Sequence, residues 1–368
     1  MRARVVIWIL VFLLMIKETR KNMKLKKLLA LLLSATLLTL TLASCNDTKK
    51  PVPIVCGEAG MNELCGIATY GVDYYNLGVQ AGNMAADILL DGISPATMPV
   101  GGDPNPALIV NKDLATEIGF TIPQSILDRA SGSSTQTVTR NESVLKAESE
   151  TADFTVGILQ LVQHVALDQS NEGFVDQLSV RMAAASKTVK ILDRNAQNDQ
   201  SNNVTIATQF NTQGVDLMYA IATSSAQACA TATAESKIPV LFCAVTDPVD
   251  ADLIASLDAP GGNVSGVSDM NPVADQIELI NELLGGENVK IGFLYTAGEQ
   301  NSVTQITLAK NYCNQKGYAY VEGAISDIND LSNAMTTLKT KGVTAIYVPT
   351  DNVLANGSAN IHICNTSE

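Results

Sequence analysis

The chain has 368 residues, 46% of them hydrophobic, with 37 acidic against 24 basic side chains and a net charge of −13. That length suggests two domains with a sizeable buried core, and the composition excludes a disordered chain. The acidity argues against nucleic acid or an anionic membrane surface as main partner, and only two histidines, His164 and His362, leave little room for metal or triad chemistry built on histidine.

The charge is uneven along the chain. Residues 1–44 hold eight basic side chains and one acid, Glu18, so the remainder carries 16 basic against 36 acidic groups, a balance of −20. Met23 opens a basic stretch (Lys24, Lys26, Lys27), and residues 28–42 are apolar but short for a membrane span. Leu42, Ala43 and Ser44 then precede Cys45, an order that resembles the lipobox of bacterial lipoproteins. The resemblance implies lipidation of the Cys45 sulfur, cleavage before it, and an extracytoplasmic, lipid-anchored protein. An ordinary signal peptide or signal anchor is the alternative. A second apolar run, 5–16, precedes Met23, which is read as the true start; an upstream membrane segment is the other reading.

Downstream of Cys45 there are six cysteines and no C-x-x-C pair, so zinc-ribbon and thioredoxin readings lack support. Buried free thiols are expected, with a Cys56–Cys65 bridge as the alternative.

From residue 52 onward, short apolar runs alternate with helical patterns. Strands are predicted at 52–56, 154–159, 215–222, 239–245, 290–295 and 345–348. Their continuous apolar character marks strands covered on both faces, and helices between them predict parallel α/β sheets. Each run ends in a polar cluster: Glu58; Gln160 to His164; Thr223, Ser224 and Ser225; Thr246, Asp247 and Pro248; Asn301 and Ser302; Thr350, Asp351 and Asn352. Each alone reads as helix capping. All six directed at one cleft would instead make a ligand site beyond the strand ends. Residues 131–153, rich in Ser, Thr and Glu, read as a flexible linker between 51–130 and 154–368. No G-x-S-x-G, H-E-x-x-H, Walker A or G-x-G-x-x-G occurs, so no enzyme, cofactor or metal is expected.

Particular stretches carry a resemblance. ILQLVQH at 158–164, NAQNDQS at 195–201, AIAT at 220–223, AVTDP at 244–248, PGGNV at 260–264 and YVPTDN at 347–352 resemble the substrate-binding lipoproteins of ABC transporters, whose studied members bind aromatic amino acids such as tryptophan and tyrosine. GEAGM at 57–61 and ATYGVDYY at 68–75 resemble the C-terminal part of the same family, yet here they come first. The chain therefore reads as a circular permutant. The family's helix start after Ala-Thr usually reads Pro-Ala-Ala; this chain has Ser224, Ser225 and Ala226.

The resemblance implies a two-lobed α/β protein of the periplasmic-binding-protein type I fold. Residues 1–45 would be the leader, lobe one would combine 154–268 with 67–95, and lobe two 269–368 with 51–66 and 96–130. It implies capture of a small amino-acid-like ligand, delivered to an ABC permease. Thr223, Ser224 and Thr246 are the candidates for its carboxylate, and Asp351, Glu58 and Asp247 for its ammonium. Gln160, Asn301, Ser302 and Asn352 are candidate polar contacts, and Tyr70 or Tyr74 could stack on it. His164 and Asp73 are read as structural. The alternatives are a sensing module for a membrane kinase, a carboxylate enzyme, and a nonfunctional tandem-gene fusion.

Overall fold

The computed structural model describes residues 50–130 and 137–367. Cys45 and the leader lie outside the described residues. In chain order the first part comprises β1 (Ile54–Cys56), α1 (Ala59–Leu64), β2 (Ala68–Gly71), α2 (Tyr74–Asp91), β3 (Ala107–Val110), α3 (Lys112–Glu117) and α4 (Gln124–Leu127). Then come β4 (Leu145–Lys146), β5 (Phe154–Gln160), α5 (Val165–Ala184), β6 (Val189–Asn195), α6 (Gln200–Gln213), β7 (Leu217–Ile221), α7 (Thr223–Ala232), β8 (Val240–Cys243) and β9 (Val264–Val267). The last part holds α8 (Val273–Leu283), β10 (Lys290–Thr296), α9 (Gln300–Lys316), β11 (Ala319–Ile325), α10 (Leu331–Thr340), β12 (Ala345–Val348), α11 (Asn352–Asn356) and α12 (Ser358–Thr366).

The strands form two six-stranded sheets, ordered β4-β6-β5-β7-β8-β9 and β11-β10-β12-β1-β2-β3. Every pairing is parallel except β2 with β3. β7 and β8, LMYAI and VLFC, are buried throughout because helices cover both faces, as their unbroken apolar pattern requires. The two-lobed α/β architecture of the periplasmic type I class is thus present.

The lobes are interwoven along the chain. α2 lies on the first sheet against α5, although β2 before it and β3 after it belong to the second sheet. Two glycines permit the close approach: a Cβ on Gly78 would lie 2.1 Å from the Ser170 carbonyl, and one on Gly173 2.1 Å from the Tyr75 carbonyl. Beneath them Phe174 stacks on Tyr219 with ring centroids 3.8 Å apart. Among the described residues three segments join the lobes, at 71–74, 98–107 and 267–273.

Two sequence expectations need correction here. Lobe one does not begin at residue 67: β2 pairs with β1 and β3, and the crossing falls after Gly71. Residues 137–153 are not a free linker. Tyr75 Oη accepts from the Val138 N–H at 2.7 Å, Arg140 pairs with Asp176 at 2.5 Å, Val144 is buried, and β4 adds an edge strand beside β6. A few apolar and charged groups dock this polar segment despite its low-complexity composition.

Candidate functional site

In each sheet the strand order reverses direction at one point, between β5 and β7 in the first and between β10 and β12 in the second. At such a point the helices leave to opposite faces and open a crevice at the carboxyl ends of the strands. Here the two crevices face each other. Leu161 and Thr223 from the first, and Glu299 and Asn352 from the second, line one cavity of about 310 Å³.

The lobe-one wall is the start of α7. Its N-terminus has no side-chain cap and no acid in the first turn. The Thr223 hydroxyl, on a residue only 5% exposed, has no hydrogen-bond partner among the described residues. Ala222, just before it, is held at φ 85° and ψ 156°, a region that costs a residue with a Cβ about 1–3 kcal/mol. An uncapped helix start beside an unsatisfied hydroxyl is a place for an anionic group.

The lobe-two wall is built by Glu299, Asn301 and Asn352. The Glu299 carboxylate accepts from the backbone N–H of Asn352 (2.9 Å) and Val353 (2.9 Å) and from the side-chain amides of Asn352 (2.8 Å) and Asn301 (3.2 Å). Burial, then the charge of Asp351, pushes its carboxyl up to about 7. Asn352 Oδ1 lies 3.3 Å from His164 Nε2 of lobe one, and Gln227 of α7 reaches Gln300 at 3.1 Å. At the rim, the Asp250 carbonyl and carboxylate accept from Gln300 Nε2 (2.5 Å) and Thr304 Oγ1 (2.8 Å), respectively. The lobes are therefore closed on one another.

Deeper in the cleft, Glu58, Tyr74, Asp269 and Asp351 surround a void of only about 10 Å³. Glu58 is 1% exposed and accepts from the N–H of Gly60 and Met61, each at 2.6 Å. Burial outweighs those two bonds and pushes its carboxyl up to about 7. Asp269 accepts from Tyr74 Oη at 2.6 Å and Thr246 Oγ1 at 3.1 Å, and burial raises its pKa as well.

The structure brings Thr223, Ser224, Asn301 and Asn352 to the large cavity and Glu58, Tyr74 and Asp351 to the small void. Others lie elsewhere. Gln160 turns away: its amide donates to Asp168 (2.6 Å) and accepts from Asn171 (3.2 Å), beside a separate cavity on lobe one. Asp247 caps its own turn through the N–H of Val249 and Asp250. Tyr70 packs on the lobe-two core, and Ser302 donates to Asp351.

Asp351 itself accepts from the Thr296 N–H and hydroxyl, Ser302 Oγ and the Leu354 N–H, between 2.7 and 2.9 Å. Four donors fill a carboxylate's acceptor sites, so the expected ammonium anchor is already saturated. His164 packs at the lobe contact, and Asp73 caps α2 through the Asn76 N–H. Sequence reading passed over Glu299 and Asp269; each stands within three residues of a strand end, the same signal that pointed to the others. The six described cysteines are unbridged, with Cys56 and Cys65 Sγ 3.7 Å apart. Among the described residues no cluster is arranged to hold a metal, and no helix is long and apolar enough to cross a membrane.

Comparison with known proteins supplies the family. The family described as ABC transporter substrate binding protein matches residues 31–134 and 155–367. A tyrosine-binding protein of Clostridioides difficile (strain R20291) is 40% identical over 201 residues, 55% of this chain; the chain spans 57% of that relative's length. The crystal structure of an ABC domain in complex with L-Trp from Streptococcus pneumonia is 36% identical, with TM-score 0.50 over 58% of this chain and 70% of that one. A conserved domain protein from Vibrio cholerae is 35% identical, with TM-score 0.51 over 56% and 71%. The matched residues take in β7, β10 and β12 and all but the first residue of β5, the four strands that frame the two crevices, and the chain belongs to the family of ABC transporter substrate-binding proteins.

Proposed function

We propose that the protein captures an α-amino acid in the interlobe cleft, outside the cytoplasm, and presents it to the permease of an ABC importer. The observation that carries this reading is the uncapped start of α7 with the unpartnered Thr223 hydroxyl. A carboxylate there would receive helix N–H groups and the hydroxyl together, with Ser224 beside them. The relatives' tyrosine and tryptophan support an aromatic ligand, with Tyr74 on the floor of the cleft. A lipid on Cys45 would hold the receptor at the membrane. A thermal melt across the twenty L-amino acids tests this. Stabilisation by at least one is expected, and Thr223→Val should weaken its binding about tenfold. No shift with any amino acid, or unchanged affinity in the variant, would refute the reading.

We also propose that the chain order is rotated relative to the family. Supporting this, the Asn365 side chain bonds the Val52 N–H (3.2 Å) and carbonyl (2.9 Å), so the end of α12 abuts the entry to β1. Joining neighbouring ends and opening another loop leaves a core intact. Fragments 46–130 and 137–368 expressed together should co-elute as one folded particle, because α2 packs on α5 across the break. Independent elution would count against a single fold made from both pieces.

A further inference from the structure

We infer that Glu299 receives the ligand's ammonium group. This rests on the amino-acid reading above and replaces the acids that sequence pointed to. A zwitterion held by its carboxylate at Thr223 needs a negative partner on the same cavity. Among the described residues Glu299 is the one acid lining the 310 Å³ space, and no Arg, Lys or His of these lines it. Asp351 and Glu58 instead border the 10 Å³ void, which is too small for more than a water-sized group. Asp351 is saturated by four donors.

Glu299 is not saturated. Among the described residues its Oε2 takes three bonds, from Asn301 and Asn352, but Oε1 takes only the Val353 N–H. One acceptor position therefore remains, on a side chain fixed in place by the start of α11. Burial destabilises the bare carboxylate, so an arriving cation gains more there than at an exposed acid.

The placement has a consequence for closure. Thr223 belongs to lobe one and Glu299 to lobe two. An α-amino acid spans both with its two charged ends, whereas a carboxylic acid lacking the amine engages lobe one alone. Selectivity for the amine and ligand-driven closure are then one property.

Calorimetry with L-tyrosine, L-tryptophan and their desamino analogues, 3-(4-hydroxyphenyl)propionate and indole-3-propionate, tests the inference. The unaltered protein should prefer the amino acids by about ten- to a hundredfold. Glu299→Gln should remove that preference and leave the desamino acids within about twofold. Equal losses for both kinds of ligand would reduce Glu299 to a cap of α11 and overturn the inference. So would an unchanged preference in the variant, or no binding of any of the four. Should the variant fail to fold, N-acetyl-L-tyrosine decides with the unaltered protein: binding as tight as L-tyrosine overturns the inference, and a tenfold or greater loss supports it. The twenty-amino-acid melt separates this failure from that of the receptor reading, since amino acids that still bind through Thr223 leave the latter standing.

Discussion

Glu58 makes the stability of the protein without ligand depend on pH, and the size of the effect follows from its burial. Its carboxyl is pushed up to about 7 from an ordinary 4.5, burial outweighing two short backbone bonds. The folded state therefore keeps a proton that the unfolded chain has released. The stabilisation is fully present below the unfolded pKa and is lost as pH rises through the folded one. About 1.4 kcal/mol per unit over that gap amounts to roughly 3 kcal/mol lost between pH 4.5 and 7. Asp269, Glu299 and Asp351 are shifted upward too and act in the same direction, while buried His164, shifted downward, acts against them. Urea unfolding at several pH values, on the unaltered protein and Glu58→Gln, isolates the one group. The variant loses an acceptor for one of the two N–H groups, a cost that does not vary with pH. Its stability should therefore fall less steeply, by about 3 kcal/mol across the window. Parallel curves for the two proteins would refute the argument.

Two further outcomes follow from the packing. Asp351→Ala strips acceptors from the Thr296 and Leu354 N–H groups and from two hydroxyls, and should cost about 3 kcal/mol or more in a denaturant melt, rather than leaving a folded protein that merely fails to bind. Gly173→Ala drives a methyl group into the Tyr75 carbonyl and should cost about 3 kcal/mol by the same measurement, whereas Gly119→Ala, with nothing within 4 Å but φ at +70°, should cost only about 1 kcal/mol.

The strands and their parallel pairing were legible because sheets covered on both faces demand unbroken apolar runs, as in β7 and β8. Polar clusters after the strands marked the cleft for the same reason of topology. Sequence could not separate groups that face the cavity from groups that cap. Asp351 and Thr223 both stand beside the start of a helix after a strand; one is encircled by donors from β10 and α9, and the other has none. That difference is tertiary. Nor could composition show that residues 137–146 dock on lobe one, since isolated groups hold them: the Tyr75 and Ser179 hydroxyls, the Arg140–Asp176 ion pair, buried Val144 and the short pairing of β4 with β6.

The rim contact of Asp250 with Gln300 and Thr304 bears on time rather than on recognition. These bonds join lobe one to lobe two and exist only with the cleft shut. They add nothing to the encounter of a solute with the open protein, so the association rate does not feel them. Opening must break them first. At roughly 0.5–1.5 kcal/mol each, the two slow the opening of the cleft from severalfold to more than a hundredfold.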